Sequence, residues 1–157
     1  MSRIGRRNYH VAAVELLQKA RFSVRELATC QMVAQKGERK LYIDIAGKNL
    51  PYCGANGKQA FAWETHVELD RLDRICARAT ACGAEPWLGL CYAILDSEFE
   101  SEFGTVVEVA YSKFGLKLIS ISDYRKFCHP RSQNAWKVVD LPRQKVKLIT
   151  LDPKDVM

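Results

Sequence analysis

The spacing of apolar residues changes along this chain, and each spacing predicts an element. Apolar positions recur every three or four residues over 10–21 and again over 70–82, which predicts two amphipathic helices. Residues 22–27 suggest a short strand, and strict alternation over 41–46 predicts another. The nearly continuous apolar run 86–95 is typical of a central strand buried on both faces.

The second half of the chain gives weaker patterns. Glycine, asparagine and proline over residues 47–59 predict a loop, and residues 96–104 suggest an acidic turn. Beyond it we expect strands at 106–111, 116–121 and 145–151, and a short helix at 122–128 capped by Ser122.

One predicted strand carries unusual charge. In the stretch 61–70, FAWETHVELD, a period of two places Phe61, Trp63, Thr65, Val67 and Leu69 on one face. Glu64, His66 and Glu68 fall on the opposite face, and Asp44 is an acid on the predicted strand before it. Glu64 and His66, two residues apart on one face, can converge on one small ligand. The alternative is the solvent face of an edge strand with cross-strand lysine partners.

Composition favours one globular domain over residues 1–157. The chain is 48% apolar and 27% charged, has no repeats and no apolar stretch long enough to cross a membrane, so we expect a cytoplasmic protein. Six unevenly spaced cysteines suit buried thiols better than a disulfide framework. A zinc site remains an alternative, with these ligands: Cys76, Cys82, Cys128 and His129.

The net charge of +6 is unevenly distributed. Residues 1–50 carry ten Lys/Arg against four Asp/Glu, and residues 105–157 carry ten against five. Residues 51–104 reverse the balance, with four against nine. Basic ends around an acidic centre suit a protein that grips a polyanion and holds a cation between its basic segments. An unevenly charged solvent surface explains the same counts.

The order of the elements resembles the PD-(D/E)XK nuclease superfamily. In that pattern a strand aspartate precedes an acid-x-Lys tripeptide on the next strand; here "YIDIAG" supplies Asp44, and "WETHV" supplies Glu64 with His66 in the lysine position. The opening "GRRNYHVAAVELLQKARFSV" is similar to the family's first helix, whose glutamate would be Glu15, with Asn8 or Tyr9 as alternatives.

The resemblance implies an α/β fold of the restriction-endonuclease type. A mixed central sheet flanked by helices would have an αβββαβ core within residues 4–95, and residues 105–157 would add C-terminal strands. It also implies metal-dependent hydrolysis of DNA, with branched DNA as one candidate substrate and with Mg²⁺ or Mn²⁺ held by Asp44 and Glu64. His66 departs from the pattern, because neutral imidazole lacks the permanent charge of lysine; it would act as general base, as metal ligand, or mark a decayed site.

Two further functions remain open. A non-catalytic nucleic-acid- or protein-binding module on the same fold would need no metal, and a structural or assembly protein would use its basic ends for subunit contacts. For the DNA-binding readings the expected phosphate contacts come from basic residues near both ends: Arg3, Arg6, Arg7, Arg125, Lys126, Arg131 and Lys137. A homodimer is expected if both strands of a duplex are cut.

Overall fold

The structure, a computed structural model, describes residues 4–50, 65–130, 138–141 and 143–156. Its helices and strands follow each other in this order: α1 (Arg6–Lys19), β1 (Ser23–Ala28), β2 (Gln31–Lys36), β3 (Arg39–Leu50), β4 (Thr65–Glu68), α2 (Leu69–Ala81), β5 (Glu85–Ile94), β6 (Val107–Val109), β7 (Ser112–Ser120), α3 (Ile121–Phe127), β8 (His129–Pro130), β9 (Val138–Leu141) and α4 (Arg143–Ile149). Short 3-10 helices occupy Ser97–Glu102 and Pro153–Asp155.

Six strands form the main sheet, in the order β1-β2-β3-β5-β7-β6. Strands β3 and β5 are parallel and are joined through α2, whereas the other neighbouring pairs are antiparallel. Elements α1, β1, β2, β3, α2 and β5 therefore form an αβββαβ core as predicted, but its second strand, β2, was not predicted and takes the place given to the strand of Glu64 and His66. The predicted fold class, a mixed sheet flanked by helices, is confirmed.

The two helices α1 and α2 cover opposite faces of this sheet. Alternate residues of β3 divide between them, with Leu41, Ile43 and Ile45 in the core under α1 and Tyr42 in the core under α2. Strand β5 is buried on both sides, as its continuous apolar run predicts. Asp44 follows the alternation onto the α2 face, so the sheet's pleat places a carboxylate among apolar neighbours.

Strand β4 does not belong to the main sheet. It pairs with β9, which also pairs with β8, in a separate three-stranded sheet. Our interpretation that the strand carrying Glu64 and His66 lies beside the strand of Asp44 is therefore wrong. The neighbours of β3 are β2 and β5, because β2 and β3 form a tight hairpin and the α2 crossover brings β5 to the other side of β3.

Three other local predictions needed correction. The loop predicted from residue 47 begins later, because β3 continues in register with β5 to the pair Leu50 and Ile94. The strand predicted at 145–151 is mostly the helix α4, which buries Val146 and leaves Leu148 exposed. Helix α3 begins one residue before Ser122, and Ser120 caps it by accepting a hydrogen bond from the backbone of Asp123.

The predictions about membrane spans, cysteines and zinc can be compared with the described part of the chain. No helix there is long and apolar enough to cross a membrane. The five cysteines within it are free thiols, of which Cys30 and Cys91 are buried and the other three are half-buried. The proposed zinc ligands are all described but do not assemble, because no group of three or more potential metal ligands occurs among the described residues.

Candidate functional site

The candidate site is centred on Asp44 in the middle of the main sheet. Asp44 is buried and lies between Gln31 on β2 and Leu88 on β5, its partners in the two ladders. A carboxylate in such a place loses hydration and needs a compensating donor or cation. The identity of that partner determines what the site can do.

Arg71 is that partner. Its Nη2 lies 2.6 Å from Asp44 Oδ1, and the same nitrogen donates to the carbonyl oxygen of Ile45 at 3.3 Å. Arg71 belongs to the first turns of α2, which the crossover connection lays over this face of β3. The guanidinium therefore occupies the position beside the carboxylate that a metal ion would need.

A second cation follows on the same face of β3. The strand period places Ala46 and Lys48 in line with Asp44, two and four residues farther on. Burial lowers the pKa of Lys48, and the positive charge of Arg71 lowers this pKa further. The ammonium and the guanidinium are thus close enough to repel each other. Among the described residues, one carboxylate and two basic side chains therefore lie on this face of β3.

The β1–β2 turn beside Asp44 is held by a buried histidine of α1. His10 Nδ1 accepts a hydrogen bond from the backbone N–H of Cys30 at 2.8 Å, and His10 Nε2 lies 2.5 Å from Glu26 Oε1. Neutral imidazole with its proton on Nε2 satisfies both contacts. The hydrogen bond from His10 lowers the pKa of Glu26. Cys30 in turn accepts the N–H of Ile45 through its carbonyl oxygen, at 2.7 Å.

The start of α1 docks on the far half of β3. Its Tyr9 ring covers Gly47, where an added Cβ would lie 2.6 Å from the ring, and Tyr9 donates its hydroxyl hydrogen to Asn49 Oδ1 at 2.9 Å. Burial raises the pKa of Tyr9. Arg6 and Arg7, one turn earlier, are exposed at this end of the sheet. Helix α1 thus presents two guanidiniums at the C-terminal end of β3, on the opposite face of the sheet from Asp44.

The structure places the predicted catalytic residues unevenly. Asp44 is at the site, but Glu15 lies about 9 Å farther along α1 than Tyr9, given the rise of a helix. His66 pairs through its backbone with Asp140 of β9. Glu64 lies outside the described residues.

The predicted DNA-binding residues are also divided. Arg125 and Lys126 are exposed on α3, and Arg125 pairs with Asp73 of α2 at 2.5 Å. Arg3, Arg131 and Lys137 lie outside the described residues.

The residues around Asp44 were mostly not predicted from the sequence. Gln31, Arg71 and Lys48 carry no motif of their own, and they become relevant only through strand pairing and the α2 crossover. Lys48 alone had a usable signal, since its separation from Asp44 is even and the strand period therefore puts both side chains on one face.

Comparisons with known proteins identify the fold. No protein-family model matches the chain, and no curated protein matches it in sequence. Among solved structures, it is similar to Hjc, a Holliday junction resolvase from the archaeal hyperthermophile Archaeoglobus fulgidus. The TM-score is 0.51 at 15% sequence identity, and the match covers 92% of this chain and 96% of that one. The likeness supports the nuclease-like fold and leaves activity to the residues of the site.

Proposed function

We propose that this protein binds nucleic acid on a nuclease-like fold and holds the phosphate backbone with its own cations, without a divalent metal. The observation that carries the proposal is the contact between Asp44 and Arg71. A carboxylate that already has a guanidinium at 2.6 Å, with Lys48 on the same face, is a poor ligand for Mg²⁺ or Mn²⁺. The guanidinium of Arg71 is also a group that can hold a phosphate, to which it donates parallel hydrogen bonds.

The position of Asp44 in the fold supports this proposal. In the nuclease pattern the acid-x-Lys tripeptide is on the strand that leads to the crossover helix and its parallel strand. In the main sheet that strand is β3, which reads Asp44-Ile45-Ala46, and the residue paired with Asp44 on the preceding strand is Gln31. Gln31 thus occupies the position of the family's first acid, and Ala46 occupies the position of its lysine. This register leaves one carboxylate of the expected pair.

The described donors do not fit a divalent cation. Mg²⁺ takes at least one or two free carboxylates, and a cation at Asp44 would have to displace Arg71 while remaining near Lys48. Within the described ranges no three potential ligands lie together. The described side chains would instead hold a phosphate group.

The DNA surface in this proposal extends from β3 to the helix ends. Arg6 and Arg7 are exposed at the start of α1, and Arg125 and Lys126 are exposed on α3. The sequence adds three basic residues to the proposed contacts: Arg3, Arg131 and Lys137. If about four to seven of these residues neutralise phosphates, the logarithm of the affinity should fall with the logarithm of salt with a slope of about −4 to −6.

A metal-dependent nuclease remains the second candidate, and one observation favours it. Asp44 is a buried acid on the sheet of a fold like that of a protein that resolves Holliday junctions. In this version Asp44 and Glu64 would hold Mg²⁺ or Mn²⁺ in place of Arg71, and His66 and Glu15 would assist the hydrolysis of branched DNA. A homodimer belongs to this candidate, and sedimentation of the purified protein measures it.

Calorimetric titration with Mn²⁺, followed by incubation with four-way and linear DNA, separates the two candidates. We expect salt-dependent DNA binding, no heat of Mn²⁺ binding and no cleavage in Mg²⁺ or Mn²⁺. Cleavage that disappears in Asp44→Ala/Glu64→Ala but persists in the matched control Asp155→Ala would overturn the metal-free proposal. Absence of DNA binding at low salt would overturn both candidates and favour the structural or assembly role.

A further inference from the structure

The hairpin between β6 and β7 has an unusual turn. Val109 pairs with Ser112, so Ala110 and Tyr111 alone form the connection. Both have positive φ, 48° and 67°. Two-residue hairpins of this kind need positive φ at both positions and are built mainly from asparagine, aspartate and glycine. Two residues with ordinary side chains are therefore held in a backbone conformation that they disfavour.

Packing does not explain the tyrosine at this turn. Tyr111 is 98% exposed, the most exposed of the large hydrophobic side chains in the described part of the chain. The strands behind it are well anchored, because Phe114 is fully buried and meets the Tyr9 ring edge to face at 5.5 Å. A firm hairpin thus presents an aromatic ring to solvent on a strained turn. Strain of this kind is commonly kept for a function.

The turn lies at the end of the sheet where the proposed DNA surface begins. Leu50 pairs with Ile94 and Ile94 with Lys113, so the turn projects beyond the C-terminal ends of β3 and β5. Phe114, three residues from Tyr111, touches Tyr9. Three residues of strand span about 10 Å. The turn is therefore at the same end of the sheet as the start of α1, where Arg6 and Arg7 are exposed.

We propose that Tyr111 stacks on an unpaired nucleobase of the bound nucleic acid. This rests on the proposed function, since Arg6 and Arg7 would hold the adjoining phosphates. A stacked base needs one flat exposed ring. A protein partner would need a contiguous apolar patch, whereas the neighbours of Tyr111 at the turn are the small residues Ala110 and Ser112.

The charges of the hairpin are consistent with stacking as the main contact. Lys113 pairs with Glu100 at 2.8 Å, and this contact raises the pKa of Lys113. Glu108 pairs across the strands with Lys113 and also raises this pKa. The hairpin's own cation is therefore balanced by two carboxylates. The Tyr111 ring would give the preference for unpaired bases, whereas Arg6 and Arg7 of α1 would attract DNA of any structure.

Fluorescence of 2-aminopurine, placed at an unpaired position of a forked DNA, measures the contact directly. Wild-type protein should quench the probe, and Tyr111→Ala should lose the quenching and bind the fork about 5- to 150-fold more weakly. Binding to a blunt duplex should stay unchanged. Tyr111→Phe should keep both properties, and so should Leu148→Ala, the matched control for removal of an exposed hydrophobic side chain.

Tyr111→Gly separates the loss of the ring from a loss of folding, because glycine adopts positive φ without strain. Weaker fork binding by this variant, with an unchanged or higher melting temperature, supports stacking. If wild-type protein binds DNA but Tyr111→Ala binds the fork equally well, the stacking proposal alone is overturned. If wild-type protein binds no DNA, the proposed function fails as well. If Tyr111→Ala lowers the mass of the free protein in sedimentation, the ring joins two copies and stacking is overturned.

Discussion

Replacing Arg71 tests whether the buried carboxylate of Asp44 depends on a protein cation. In Arg71→Ala the carboxylate, whose side chain is 12% exposed, loses the Nη2 donor at 2.6 Å. The side chain of Arg71 is itself 31% exposed, so the pair is neither fully buried nor at the surface. Its contribution to the free energy of unfolding should therefore lie between those two limits.

The limits define the expected magnitude. Two unit charges about 4 Å apart attract each other by about 4 kcal/mol at an effective dielectric constant of 20. Exposed pairs contribute a net 0–1 kcal/mol or so, whereas removing one partner of a buried pair costs about 3–5 kcal/mol. For Arg71→Ala we expect a loss of about 2–3 kcal/mol. In a chain of this length that loss lowers the melting temperature by about 5–10 °C.

Thermal and urea unfolding of Arg71→Ala, Asp44→Asn and the double variant measure the effect. The matched control is Arg74→Ala, which removes an exposed arginine from the same helix. The double variant should be less destabilised than the sum of the single variants, with a coupling free energy of about 1–2 kcal/mol. Two results would show that Asp44 does not depend on Arg71: the same melting temperature for Arg71→Ala and Arg74→Ala, or simple addition of the single effects in the double variant. Either result would remove the support for the metal-free proposal.

Three further predictions concern the surroundings of the site. The hydrogen bond from His10 lowers the pKa of Glu26 below its usual 4.5, so this carboxylate stabilises the fold above that pH and loses its contribution as pH falls through the lowered pKa. Glu26→Gln should therefore flatten the dependence of melting temperature on pH between about pH 3 and pH 5; an unchanged profile would contradict the contact. Gly47→Ala should destabilise the protein by about 1–3 kcal/mol in urea unfolding, because its Cβ would lie 2.6 Å from a buried ring. The control Gly5→Ala, with open space around the added carbon, should have little effect, and equal stability of the two variants would count against this docking of α1. Tyr111→Gly should raise the melting temperature by about 2–4 °C by removing roughly 1 kcal/mol of backbone strain, whereas a lower melting temperature would show that the turn is unstrained.

The comparison of sequence and structure shows where pattern reasoning works. Helix α2 and strand β5 were predicted to within one residue at either end. In long segments the spacing of apolar residues shows directly which faces are buried. The short segment 145–151 was misassigned, since a few residues fit a strand and a helix equally well. Only packing distinguishes these alternatives, and here it buries Val146 and exposes Leu148.

The sequence by itself determined the α/β class, the two long helices and the acid on β3, because periodicity and residue chemistry are local properties. Tertiary structure alone decided what surrounds Asp44. Strand order depends on contacts between residues far apart in sequence, so a local pattern could not exclude β4 from the main sheet. Gln31 reaches Asp44 through a hairpin register, and Arg71 reaches it through a crossover of 27 positions. That register and that crossover place Asp44, which the sequence suggests as a metal ligand, in an ion pair with Arg71.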